Sequence, residues 1–337
     1  GNPALQWEET TQYNVGIDFG FGDYRFTGSI DYFFKQTEDL LFRLRAAQPG
    51  PDVFVWRNLE GVTVDNSGLE FNINALLVDK SDFNWELGFN ASYYQNEING
   101  VSNIFPAGII TGEINGQGLS NQRGQLLFDG QPLYAFYLPV FNGFNSEGIA
   151  QYEDINGDNE NTASGIVPPG LGDRKFVGDP NPDFTIGFRS AVRYKDFDVS
   201  VYLQGAFGHQ GFDNTALALF SRAALEGGAN VDERVLSTAQ VAGDAPIPST
   251  LFLEDADHVR LANLTIGYTF PVPETMTWLS SLRLFLTGQN LFLITGYKGF
   301  DPEVNKNKNV DDVPSFGIDY ASYPRARTFT LGVNAVF

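Results

Sequence analysis

About ten segments of this chain alternate apolar and polar residues with period two, and nine of them are sharply bounded: residues 13–21, 24–34, 69–77, 85–93, 184–194, 199–207, 260–270, 282–290 and 329–337. The last is typical. Phe329, Leu331, Val333, Ala335 and Phe337 fall on one face, and Thr328, Thr330, Gly332 and Asn334 on the other. Period two places successive side chains on opposite faces of an extended strand. Each segment runs nine to eleven residues, against roughly five or six in soluble sheets. That is the length a tilted strand needs to cross about 25–30 Å of hydrocarbon. The less apolar face carries Arg25, Asp31, Glu70, Asn72, Glu86, Asn90 and Gln204 in mid-strand, which suits a wet lumen and not a sandwich core. The pattern therefore predicts an all-β fold, a transmembrane antiparallel β-barrel.

The connections support it. Short polar turns ("FGD", with Gly22 and Asp23 as a two-residue turn, "DKSDFN" and "YKDFD") alternate with long insertions over residues 38–67, 95–183, 208–259 and 291–327. Short turns at one end and long loops at the other are the sidedness of an outer-membrane barrel, its long loops extracellular.

Composition narrows the function. Aromatics make up 14% of the 337 residues, with Phe occurring 30 times. Such an apolar load beside a net charge of -20 needs something to face other than water. Without cysteine, thiolate metal sites and cysteine nucleophiles are excluded. The acidic balance argues against nucleic acid, whose phosphates call for clustered Lys and Arg. No apolar run is long enough for a membrane-spanning helix. Two other readings stay open on pattern alone: a passive porin or structural barrel complete at about ten strands, and a soluble secreted glycan-binding β-sandwich.

The segments "LQWEETTQYNVGIDFG", "GSIDYFFKQTEDLLF", "RNLEGVTVDNSGLEFNINALLV", "FNWELGFNASYYQNEI", "YEDINGDNE", "VGDPNPDFTIGF", "FLEDADHVRLANLTIGYTFP", "LRLFLTGQNLFLITGYKGFDPEV" and "DYASYPRARTFTLGV" occur in this order. Together they resemble the C-terminal half of SusC-like (SusC/RagA family) TonB-dependent transporters of the Bacteroidetes outer membrane. The resemblance implies that residues 1–337 are the C-terminal part of a 22-stranded barrel, with plug and early strands outside this chain. It also implies a SusD-like surface lipoprotein as lid, energy delivered by the TonB complex, and contact with membrane lipid and lipopolysaccharide. The cargo it implies is a bulky nutrient, an oligosaccharide or a peptide.

Two sets of residues are candidates for binding. In "DINGDNE", Asp154, Asn156 and Asp158 stand at alternate positions around Gly157, with Glu160 extending the series. That spacing aims oxygen donors at one hard cation such as Ca²⁺. The twelfth position, where a complete loop carries an acid, is Gly165; the family's glycine after the second Asp is here Asn159, and Asp173 is too distant in sequence to count as a replacement. A solvated acidic turn is the alternative. The second set is aromatic. Trp56 with Arg57 beside it, then Phe105, Tyr134, Phe136, Tyr137 and Phe141, lie outside the clear strands and suit sugar rings or peptide side chains. An aromatic girdle or loop packing would use such residues equally well.

No enzymatic activity is expected. His209 and His258 are the only histidines, and neither has a nucleophile at a recognisable spacing. The run "EDADH" (Glu254 to His258) is read as acidic residues at the water boundary of a strand. Asp154, Asp158, Asp173, Asp179, Asp183, Asp311 and Asp312 are expected to give the loops a field that repels anionic solutes and attracts divalent cations.

Overall fold

The alternating segments form one antiparallel sheet of nine strands in the computed structural model, which describes residues 2–46, 49, 52–116, 118–160, 162–163, 168–273 and 275–337. In chain order they are β1 (Glu9–Phe21), β2 (Phe26–Glu38), β3 (Thr63–Lys80), β4 (Phe83–Asn99), β5 (Phe184–Tyr194), β6 (Phe197–Phe207), β7 (His258–Phe270), β8 (Ser281–Thr295) and β9 (Thr328–Val336). Each pairs with its predecessor, so the sheet is a simple meander with β1 and β9 at its edges.

Register turns the apolar faces into continuous rows. Phe21, Phe26, Ala75, Leu87, Ser190, Val201, Leu264, Gly288 and Phe329 follow one another across all nine strands. Ser190 is the one polar side chain in that row, and its hydroxyl accepts the indole N–H of Trp85. The row face is solvent-exposed: Leu331 is 71% accessible and Phe329 68%. An open apolar face of this extent has no place on a soluble sandwich, where it would be packed on a second sheet.

Aromatic rings mark both rims of that face. Phe83, Tyr194, Phe197 and Tyr268 stand side by side near the short turns, with Phe197 and Tyr268 4.6 Å apart. Near the long loops Tyr93 pairs with Phe184 at 6.4 Å. Phe83 and Tyr93 are ten residues apart on β4. That spans on the order of 33 Å along the strand and roughly 25 Å of membrane once the strand is tilted.

The opposite face is polar. Asn84, Glu86, Arg189, Arg193, Asp198 and Ser200 help to line a hollow of about 460 Å³ on it, and Arg193 donates to Asn84 Oδ1 at 2.7 Å.

Sidedness holds. Residues 22–25, 81–82, 195–196 and 271–280 make the short end, and residues 39–62, 100–183, 208–257 and 296–327 the long one. The first turn is longer than the sequence suggests, because Tyr24 and Arg25 belong to it. Gly22, Asp23 and Tyr24 all adopt left-handed backbone, at φ +62°, +54° and +61°, and Arg25 donates to the Leu76 carbonyl at 3.1 Å. β3 and β4 extend further toward the long loops than the apolar alternation does. Their upper turns carry Asp65, Asn66, Gln95, Asn96 and Glu97, which end the apolar face but not the hydrogen-bonded ladder.

The long loops fold into structure of their own over two cores. Phe136, Leu138, Phe212, Leu217, Phe220, Phe252 and Ile318 anchor one. Leu59, Val62, Ile98, Val101, Leu127 and Val313 anchor the other.

Candidate functional site

A short hairpin rises from the β2–β3 connection, its strands Leu41–Arg45 and Phe54–Asn58. Alternation on the first strand places Arg43 and Arg45 on one side, where they meet the 305–315 loop. Arg43 pairs with Asp312 and lies over the Phe54 ring at 4.2 Å. Arg45 grips Asp311 with two hydrogen bonds of 2.8 Å. The Arg45 guanidinium holds the Asp311 carboxyl below the usual carboxylate range, and Asp311 raises Arg45 in turn. Behind these pairs opens a largely apolar cleft of about 280 Å³, walled by Leu40, Phe42, Val64, Ile98, Leu133, Tyr134 and Val313. Trp56 stands on its lip, half exposed. An apolar floor with aromatic and ionic groups at the mouth can hold a ring or aliphatic group and orient the polar remainder.

The structure sorts the aromatic candidates by exposure. Trp56 and Arg57 are open, and Arg57 faces Phe42 across the hairpin. Phe105 closes the short helix Val101–Ile104 and packs on the second core. Tyr134 joins the same core and the cleft wall, with burial raising its hydroxyl pKa. Phe136 is fully buried in the first core and Tyr137 is 4% exposed against Phe176, so neither offers a surface to a ligand here. Phe141 packs on Phe144 at 5.1 Å and Tyr152 at 6.2 Å. Large rings in long loops are what a loop fold needs for a core, and the sequence could not separate that use from recognition.

In the acidic loop the Asp154 carboxylate accepts the backbone N–H groups of Gly157 (2.7 Å) and Asn159 (2.9 Å), and Asp158 accepts that of Glu160 (2.7 Å). Asn156 Nδ2 donates to Asp158 Oδ2 at 2.7 Å. Asn159 takes φ +59°, the left-handed backbone that a glycine would supply and asparagine tolerates. Asp173, remote in sequence, is buried beside the loop and accepts the N–H groups of Ile155 (3.0 Å) and Thr162 (2.8 Å). Burial works to raise its carboxyl, and these hydrogen bonds outweigh it, leaving Asp173 below the usual range. Gly165 lies outside the described residues. Among those described, no three acidic or histidine side chains converge as a metal-holding group.

The expected anionic field of the loops is cut down in the same way. Asp173 is internal, Asp311 and Asp312 are paired with arginines, and Asp179 is half-buried on Asn181 with burial raising its carboxyl. Glu254, read as a water-boundary residue, is also internal. It is 8% exposed and receives Arg234, while Asp255 and Asp257 are exposed as expected.

Several buried charges had no signal in the sequence. Arg234 donates to Asp213 (3.1 Å), Asp232 (2.8 Å) and Glu254 (2.7 Å). Burial opposes its charge, and these carboxylates, Asp232 foremost, outweigh it and raise its pKa. Arg260, only 2% exposed, grips Asp301 and Glu303 at 2.6 Å each and ties the 296–327 loop to β7. Arg174, also 2% exposed, donates to the carbonyls of Arg123 (2.9 Å) and Ala163 (3.2 Å), and burial pulls it down to about 10.

A meander of membrane-length strands, apolar on one face and polar on the other, with a folded cap over one rim, is a section of the wall of a membrane β-barrel. The chain belongs to the TonB dependent receptor-like, beta-barrel family, whose model matches residues 1–291. It is 33% identical to TonB-dependent receptor P3 of Formosa agariphila, the match covering all of this chain and 35% of that protein. It is 30% identical to TonB-dependent receptor SusC of Bacteroides thetaiotaomicron, over all of this chain and 32% of that one. The chain thus spans about a third of the length of the curated relatives it matches. Solved structures of the RagAB peptide transporter, and of the RagAB peptide importer in its 'open-open' state, superpose with TM-scores of 0.76 and 0.78 at 21% identity. The match covers 99–100% of this chain and 36% of theirs, and it bears on the fold alone.

Proposed function

We propose that this chain is the C-terminal barrel wall and surface cap of an active importer, in which the rest of the protein supplies the plug and the remaining strands. The cargo is a bulky nutrient, an oligosaccharide or a peptide, captured beneath a SusD-like lipoprotein and moved inward with energy delivered through TonB. The single observation behind this reading is the alignment of the whole chain with SusC and other TonB-dependent receptors, on a sheet whose two edges remain open. A porin complete in nine strands would pair those edges. Labelled-nutrient uptake in cells carrying or lacking the gene, with and without a protonophore, tests it. Uptake that needs the gene and collapses with the proton-motive force supports the reading. Gene-dependent uptake that survives the protonophore makes the protein a passive channel.

Trp56 and Arg57, at the open hairpin, are the residues of this chain assigned to ligand contact. The acidic loop is assigned to Ca²⁺, with Asp154, Asn156, Asp158 and Glu160 as oxygen donors. All four are hard donors on a tight turn, as such a cation requires. Terbium luminescence competed by Ca²⁺, lost in Asp154→Asn, would support this; an unchanged signal in that variant would not.

A further inference from the structure

The chain has two histidines, and the fold presses them together. His209 follows β6 and His258 opens β7, opposite Ala206. Their rings meet edge to face with centroids 6.1 Å apart. Both are buried, at 7% and 4% exposure.

Each ring turns a nitrogen toward a carboxylate without bonding it. His258 Nδ1 lies 3.0 Å from the Ala256 carbonyl oxygen. A carbonyl can only accept, so that nitrogen carries the proton, and in the neutral ring Nε2 keeps a bare lone pair. Nε2 stands 3.7 Å from Glu303 Oε2, lone pair against carboxylate. A proton on Nε2 converts that repulsion into a charge-assisted hydrogen bond. His209 Nδ1 is buried with no hydrogen-bond partner and lies 3.9 Å from Asp257 Oδ1.

Asp257 and Glu303 act on His209 from the approach to β7 and from the 296–327 loop, and Asp183 packs under Gly208. Arg260 and Arg325 hold Glu303, and Arg260 also holds Asp301. Burial first, and His258 second, pull His209 below its usual range against the two carboxylates. Two like charges at this separation in a buried site do not coexist easily.

We propose that His258 is a proton-operated latch, in which one proton taken from solvent onto its Nε2 closes the ring on Glu303 and fixes the 296–304 segment to the β6–β7 rim. Glu303 is already tied to β7 through Arg260, so the proton tightens an existing joint and creates no new one.

The test is hydrogen–deuterium exchange of the 298–304 segment in the full-length protein in detergent, at about pH 8 and about pH 5.5, either side of the usual histidine range, corrected for intrinsic exchange. Wild type is expected to gain roughly tenfold in protection on acidification, the order that one hydrogen bond to a charged group contributes. His258→Gln and His258→Phe, one keeping a donor for Ala256 and the other keeping the ring volume, should both show a flat response. His209→Gln should keep the wild-type response. The proposal fails if wild type shows no pH response, if both His258 variants retain it, or if His209→Gln abolishes it. It also fails if the response disappears in chelator and returns with a divalent transition metal, which would make the pair a metal site.

Discussion

Arg283 on β8 reaches across Gly267 on β7 to grip Asp198 on β6, Nε donating to Oδ1 at 2.8 Å and Nη2 to Oδ2 at 2.5 Å. The bond spans three strands only because position 267 has no side chain. A Cβ there would stand 2.4 Å from Nη2 and 2.5 Å from Oδ1. Both partners are about one-third exposed, so solvent screens the pair, and the coupling is expected to be about 0.5–1 kcal/mol. A double-mutant cycle with Asp198→Asn and Arg283→Gln, read by denaturation of the full-length protein, measures it. In a Gly267→Val background the same cycle should return a coupling near zero. An undiminished coupling there would show that the pair does not need the gap.

Removing Arg234 should cost more than removing any exposed pair. Its guanidinium is the partner of Asp213, Asp232 and Glu254, and Asp213 and Glu254 are at most 8% exposed. Arg234→Met leaves two buried carboxylates without that partner, for an expected loss of about 3–5 kcal/mol. Arg234→Met combined with Asp213→Asn and Glu254→Gln should recover part of the loss, since the stranded charges go with the partner. Chemical denaturation of the three proteins decides it, and a single variant as stable as wild type would overturn the assignment.

How much of this was legible beforehand depends on which physics writes the pattern. Lipid on one side and water on the other repeat every second residue, so Phe329, Leu331 and Val333 declare their face in the sequence alone. The loop cap is written in tertiary contacts. Phe136 and Trp56 look alike as isolated loop aromatics, yet one is fully buried and the other half exposed. Asp173 reaches the acidic loop from outside its motif. Arg260 finds Asp301 and Glu303 across 41 and 43 positions, a separation with no local signature. The run "EDADH" reads in the sequence as acidic residues at a water boundary, and its alternating burial appears only when the Leu253–Asp255 strand pairs with Gln210–Asp213.

Acid should stabilise the loop cap through Asp319. Burial first, and the neighbouring Asp213 second, push its carboxyl up to about 6, although Tyr297 and Thr215 donate to it. A carboxyl raised above its unfolded value of about 3.9 favours the protonated folded state. Its contribution is complete below about pH 4 and is lost as pH rises through about 6, on the order of 2 kcal/mol. Asp319→Asn, isosteric and neutral, should flatten that part of the stability profile. Melting of both proteins from about pH 4 to about pH 8 checks the direction, and a wild-type curve that rises over this window contradicts it.

Trp56 offers a test at the surface. Trp56→Ala should lower uptake on the order of tenfold, equivalent to ~1.4 kcal/mol of binding, with the amount of barrel in the membrane unchanged. Trp56→Phe should retain part of the activity, because it keeps an aromatic face. Equal losses in uptake and in assembled protein would make Trp56 a packing residue and not a ligand contact.

The faces of the last strand can be told apart by one charge. Leu331 lies in the apolar row through Leu286, Ile266 and Val199, and Thr330 faces the other way beside Thr287. Arginine at Leu331 has to enter the hydrocarbon band, at a cost of about 2–4 kcal/mol near the midplane. Arginine at Thr330 meets a polar surface that already accommodates Asp198 and Arg283, and should cost well under half as much. Folding titrations of Leu331→Arg and Thr330→Arg into bilayers of stated thickness give the comparison directly. If the two variants lose the same stability, the assignment of outer and inner faces in this sheet is wrong, and with it the reading of residues 1–337 as a barrel wall.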